Sequence, residues 1–130
     1  MSGLAHKLGI RPRICVVLID VPAEVKHALE PLPDGAVVAT TLPAEVVLAH
    51  CTSRADVERH APTLIEAARM GAIVWGAWPK GTSGLETDLT RDEGWEPLYD
   101  AGLRGVATVS IDDTWSGLRF RPVEDVPPRG

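Results

Sequence analysis

The sequence predicts a three-layer α/β domain whose sheet is mostly parallel and is closed by an antiparallel hairpin. Three observations lead there. Residues 14–19 (ICVVLI), 46–49 (VVLA) and 72–78 (AIVWGAW) are apolar without interruption. Strands covered by helices on both faces look like this, because neither face meets water. Stretches with helical spacing lie between and after these runs. The last two strand-like segments instead alternate apolar and polar residues, and a short turn-rich link joins them.

The first strand, 14–19, leads into a helix over 22–30, where Val25, Ala28, Leu29 and Leu32 share one face and Pro22 suits the first helical turn. Residues 36–41 read as a further strand, but only Leu42-Pro43-Ala44 separate it from the next. A parallel crossover takes about a dozen residues, so this segment is either a stub or not parallel to its neighbours. The strand at 46–49 is followed by a long helix over 53–70 with Val57, Ala61, Leu64, Ile65 and Ala68 as its stripe. Pro62 is expected to kink or restart that helix, and Gly71 to close it. After the strand at 72–78, a helix is expected from about Leu89 to Ala101, capped by Thr87 or by Thr90 with Glu93. The alternating segments 106–111 and 118–121, joined through 112–117, form a half-exposed hairpin near a sheet edge. The expected strand order runs from the first strand to 45–50, then 72–78, then the hairpin. The domain spans 1–121, and 122–130 is a proline-rich tail.

Composition narrows the function. The chain has 130 residues and a formal net charge of −5. Its basic residues are dispersed among acids, which argues against nucleic acid as a partner, because phosphate neutralisation dominates that affinity. No stretch approaches the ~20 apolar residues of a membrane helix, and no hydrophobic leader is visible at the start. A cytoplasmic location is expected, with Cys15 and Cys51 as reduced thiols in apolar surroundings.

Four motifs stand out: Lys7-Leu8-Gly9-Ile10, Trp78-Pro79-Lys80-Gly81-Thr82-Ser83-Gly84, Thr87-Asp88-Leu89-Thr90-Arg91-Asp92, and Trp115-Ser116-Gly117-Leu118-Arg119-Phe120. Taken together, across residues 4–120, they resemble a bacterial family known as a domain of unknown function, a resemblance that implies no activity. More distantly, residues 46–120 are similar in layout to the C-terminal half of Rossmann-type, S-adenosylmethionine-dependent methyltransferases. That resemblance implies a Rossmann-like fold, a truncated methyltransferase core. The residues do not carry the cofactor chemistry with it. A glycine-rich turn should follow the first strand, letting backbone approach the ligand, yet no glycine occurs between Ile14 and Asp34. An acidic residue should close the second strand, where Thr40-Thr41 stand instead. No cofactor is expected.

The carboxyl edge of such a sheet is where ligands bind. Lys80 to Gly84, Thr87 to Arg91 and the 112–117 link all follow or face that edge, and with them come Lys80, Arg91, Arg119, Asp88, Asp112 and Asp113. A helix start near Thr87 would add free amides suited to an anion. The expected function is a binding domain for a small anionic or nucleotide-like ligand, its site made by Trp78, Lys80, Gly81, Ser83, Gly84, Thr87, Asp88, Arg91, Asp113, Trp115 and Arg119. The structural alternative is a clasp of paired acids and bases under Trp78 and Trp115. Two other functions fit the same residues: a module docking on an enzyme or regulator through the Trp78/Trp115 edge, and a remnant methyltransferase. His50, Cys51, Asp56 and His60 suggest a metal, but His50 and Cys51 point to opposite sides of a strand, so no metal is expected. Ser83 and Ser116 read as turn serines.

Overall fold

The computed structural model describes residues 3–125. Its sheet has six strands in the order β2-β1-β3-β4-β6-β5. β1 (Cys15–Ile19), β2 (Val37–Ala39), β3 (Val46–His50) and β4 (Ile73–Pro79) run parallel. β6 (Trp115–Pro122) is antiparallel to β4, and β5 (Leu103–Ser110) pairs antiparallel with β6. The expected three-layer α/β architecture is present, and each strand read from a continuous apolar run is there.

The two faces of the sheet carry separate cores. On one, Val47, Ala49, Val74, Trp78, Leu118 and Phe120 meet the buried stripe of α3 (Arg54–Arg69) and Leu98 of α4 (Glu96–Asp100). On the other, Val16, Leu48, Trp75, Ala77 and Trp115 meet α1 (Gly3–Lys7) and α2 (Ala23–Leu29). The loop after α1 reaches β4 closely. Trp75 donates its indole N–H to the Leu8 carbonyl at 3.0 Å. Gly9 turns there at φ +83, where a side chain would meet Ile73.

Of the two alternatives for 36–41, the stub holds: β2 has three residues and runs parallel to β1, not beside β3. A strand of three residues spans only ~10 Å, so residues 40–45 are long enough to return without a helix. Several other expectations need correction. Pro62 neither breaks nor restarts α3, which runs unbroken from Arg54 to Arg69. Pro62 itself is exposed, while Val57, His60, Ala61 and Leu64 stay buried on both sides of it. The helix expected over 89–101 is only Glu96–Asp100. Gly94, at φ +99, is outside helical geometry, and Thr87 and Thr90 cap turns instead, accepting from the N–H groups of Leu89 and Glu93. The hairpin lies at the sheet edge as expected, but only β5, the edge strand, is half-exposed; β6, between β4 and β5, is largely buried. Trp115, at the start of β6, is buried at 8% exposure in the α1-side core. Pro122 ends β6 and Val123–Asp125 form a short 3-10 turn, while the rest of the expected tail, 126–130, lies outside the described residues.

Candidate functional site

The chain reverses its direction of winding between β1 and β3, because β2 lies on one side of β1 and β3 on the other. The crevice beyond the carboxyl ends of two such strands is the usual ligand site of an open α/β sheet. Asp20 is the first residue beyond β1. It sits at φ +54, a left-handed conformation that aspartate tolerates better than most residues. Its carboxylate lies 2.7 Å from His60 Nε2 and accepts from Arg59 at 3.4 Å.

Local chemistry explains why His60 points there. Ser53 caps α3 by accepting from the Asp56 N–H at 3.2 Å. Asp56 in turn accepts from both the N–H and the hydroxyl of Thr52, each at 2.9 Å, and from Arg59 at 2.6 Å. Partial burial would raise the Asp56 carboxyl, but these three partners outweigh it and hold it below the usual carboxylate range. The first turn of α3 is thereby fixed, and His60, buried one turn later, meets Asp20 across 40 residues of chain.

His60 lines a cleft of about 450 Å³. Val17, Ile19 and Leu42 supply apolar surface, Thr40, Thr41 and Thr63 supply hydroxyls, and Glu66 supplies a carboxylate. Polar residues outnumber apolar ones in this lining, so a ligand here would be held by placed hydrogen-bonding groups as much as by apolar contact. No lysine or arginine lines it. Glu66 is the acid in its wall, and Asp20, paired with both His60 and Arg59, lies behind.

His50, at the carboxyl end of β3, lies on the other face of the sheet, edge-on to Trp115 with ring centroids 4.7 Å apart. It is 3% exposed, and neither ring nitrogen has a hydrogen-bond partner among the described residues. Burial pushes its pKa down to about 4, against the raising pull of Asp112 and Asp20. The Cys51 thiol, on the His60 side, is pushed up to about 12, by burial first and then by Asp56 and Asp20. It is no nucleophile at neutral pH. Among the described residues no group of three metal-ligating side chains assembles.

The residues singled out in the sequence divide. Lys80 and the 112–114 turn do meet at the carboxyl edge: the Lys80 N–H donates to the Thr114 carbonyl at 2.8 Å, and its ammonium to Ser110 Oγ at 2.7 Å. Asp112 is occupied by the N–H groups of Thr114 and Trp115, both at 2.8 Å, and Asp113 is exposed beside it. Gly81 and Gly84 stand in open space, and Ser83 accepts from the Leu85 N–H, as a turn serine does. Thr87 caps its own turn, and Asp88 accepts from the Arg54 N–H at 2.8 Å, fastening this loop to the start of α3. Arg91 pairs with its neighbour Asp92 at 2.7 Å. Trp78 and Trp115 are buried on opposite faces and share no surface. Arg119 lies mid-strand in β6, in register with Trp75 and Ala107. The Asp20–His60 pair escaped sequence reasoning; the one signal for it was an aspartate directly after an apolar strand run.

Comparison with solved structures decides what scaffold carries this site. A S-adenosylmethionine-dependent methyltransferase from Aquifex aeolicus superposes with a TM-score of 0.57 at 13% identity, covering 90% of this chain and 86% of that one. The fold is methyltransferase-like. An O-methyltransferase of neocarzinostatin biosynthesis (TM-score 0.49, 20% identity, 82% of this chain and 41% of that one) and the Methanococcus jannaschii fibrillarin pre-rRNA processing protein (0.48, 12%, 92% and 73%) overlap less. No protein-family model and no curated protein matches the sequence.

The residues of the methyltransferase-like sheet do not fit S-adenosylmethionine. The turn after β1 is Asp20-Val21-Pro22-Ala23-Glu24. Val21 is buried, Pro22 has no N–H to offer, and the Asp20 carboxylate is committed to His60 and Arg59. Beyond β2 stand Thr40 and Thr41, with no acid for ribose hydroxyls.

Proposed function

We propose that this chain is a small-molecule-binding domain on a methyltransferase-type sheet, with its ligand seated at the carboxyl edge in the cleft between β1, residues 40–42 and α3. The ligand is neutral or cationic and carries hydroxyl or amino groups. The observation that carries this reading is the Asp20–His60 pair, a buried imidazole held at 2.7 Å by a left-handed aspartate and lining the cleft. An imidazole oriented by a carboxylate presents its remaining nitrogen in a defined tautomer. The threonine hydroxyls can donate or accept, and Glu66 accepts only while ionised. The expectation of an anionic ligand drew on Lys80 and Arg91, which lie outside this cleft. The likeness of fold favours one second reading, a methyltransferase remnant that kept its sheet and lost the cofactor's contacts.

Thermal unfolding against ribose, ethanolamine, spermidine, adenosine monophosphate and S-adenosylmethionine tests the proposal. Binding to the native state alone raises the midpoint by mass action. At least one of the first three is expected to do so, and His60→Ala and Asp20→Asn to remove the rise. A rise that survives His60→Ala, or one produced only by the phosphate or by S-adenosylmethionine, would sink the cleft as the site.

A further inference from the structure

The β5–β6 hairpin carries three arginines and, along both strands, no acid. Arg119 and Arg121 alternate with Leu118 and Phe120, which enter the α3-side core, so both arginines stand on the α1 face. Arg104 is the direct register partner of Arg121 across the antiparallel pair. Like charges directly opposite one another destabilise a sheet. Acids outnumber bases 18 to 13 in this chain, so counter-charges were plentiful. Yet among the described residues no carboxylate pairs with any of the three; every ion pair involves Arg54, Arg59, His60 or Arg91. Among the described residues Arg104 donates only to the carbonyl of its neighbour Leu103. Arg119 is partly buried, and its Nε has neither solvent nor, among those residues, a hydrogen-bond partner. Burial, and then the Arg121 charge, pull its pKa below the usual arginine value.

Alternate residues on a strand root ~7 Å apart, and paired residues across strands ~5 Å apart. Three guanidinium groups set on that spacing can contact two linked phosphoryl groups at once, each through paired N–H donors. We propose that this face of the hairpin is a binding site for a diphosphate group, with Arg104, Arg119 and Arg121 as its ligands. It lies toward the amino end of β4, away from the carboxyl-edge cleft, and does not depend on the reading of that cleft. The repulsion among the arginines is relieved when the anion binds.

Calorimetric titration of the full chain with inorganic pyrophosphate at low ionic strength tests it, with sodium chloride of matched ionic strength as the control. Saturable binding is expected. Arg104→Gln and Arg121→Gln should each weaken it by about tenfold or more, the loss of one paired, charge-assisted contact. Both should leave the anion-free unfolding midpoint unchanged or raised, because a like-charge contact is gone. Lys80→Gln, at the opposite edge, should bind as the parent does. Adenosine diphosphate binding tighter than pyrophosphate would identify the source as a nucleotide, and equal binding would identify the diphosphate alone. Pyrophosphate that does no more than the salt control, or full binding by the Arg104 and Arg121 variants, would overturn the proposal.

Discussion

Trp95→Ala should lower the free energy of unfolding by about 3–5 kcal/mol, the range for truncating a large aromatic in a core. Trp95 is fully buried. Its ring meets Trp78 edge-on at 6.0 Å and lies tilted at 5.3 Å from Phe120. Its indole N–H donates to the Thr90 carbonyl at 2.8 Å, closing the irregular 85–95 segment on itself, while the ring packs that segment onto the sheet. The sheet makes room for it at Gly76, where an added Cβ would lie 2.7 Å from Trp95 Cζ3. Gly76→Ala should therefore destabilise the parent and cost distinctly less in the Trp95→Ala background, a coupling that a double-mutant cycle reads directly. Denaturant unfolding measures all three variants. A loss below about 1 kcal/mol for Trp95→Ala, the scale of surface changes, would mean that the 85–95 segment does not dock as described.

Lowering the pH from 7 to 4 should remove about 3 kcal/mol of stability through His50 alone. Its folded pKa of about 4 lies below the ordinary 6.5, first because of burial. The unfolded chain thus takes up a proton more readily than the folded one. The stabilising term is fully present above pH 6.5 and falls by about 1.4 kcal/mol per pH unit as pH drops toward 4. Asp56, whose carboxyl is held low, adds its own loss only as pH falls below about 4. His50→Phe keeps an aromatic ring against Trp115 and removes the titrating group. Its unfolding free energy should be nearly flat over the window in which the parent's declines. Parallel curves for the two proteins would show that His50 is not the buried neutral imidazole described.

The parts of the fold set by local pattern were legible. A continuous apolar run can only be satisfied between two layers, so β1, β3 and β4 could be read from sequence, as could the hairpin from its alternation and α3 from its stripe. What was missed depends on contacts distant in sequence. The 85–95 segment has a helical stripe in Trp95, Leu98 and Tyr99, but Gly94 adopts a left-handed conformation and Trp95 anchors the chain before any helix starts. The short link from β2 to β3 signals the stub, but not that β1 lies between the two strands, which depends on tertiary pairing. Lys80 and Asp112 do reach the carboxyl edge, whereas Arg119, though close in sequence to the 112–117 link, has already run down β6 to the level of Trp75. For the Asp20–His60 pair the local signal is only an aspartate after the apolar run; its partner lies 40 residues on, and nothing local names it.

The most direct test is where, not whether, small molecules bind. Methyl and imidazole resonances of the labelled protein can be followed by NMR while ribose, ethanolamine and spermidine are added in turn. Shifts should concentrate on Val17, Ile19, Leu42, the threonine methyls of residues 40, 41 and 63, and the His60 ring, with Val109 and Ile111 beside Lys80 unmoved. Shifts that centre on Val109 and Ile111, or none at the cleft with any of the three, would contradict a binding site beside His60.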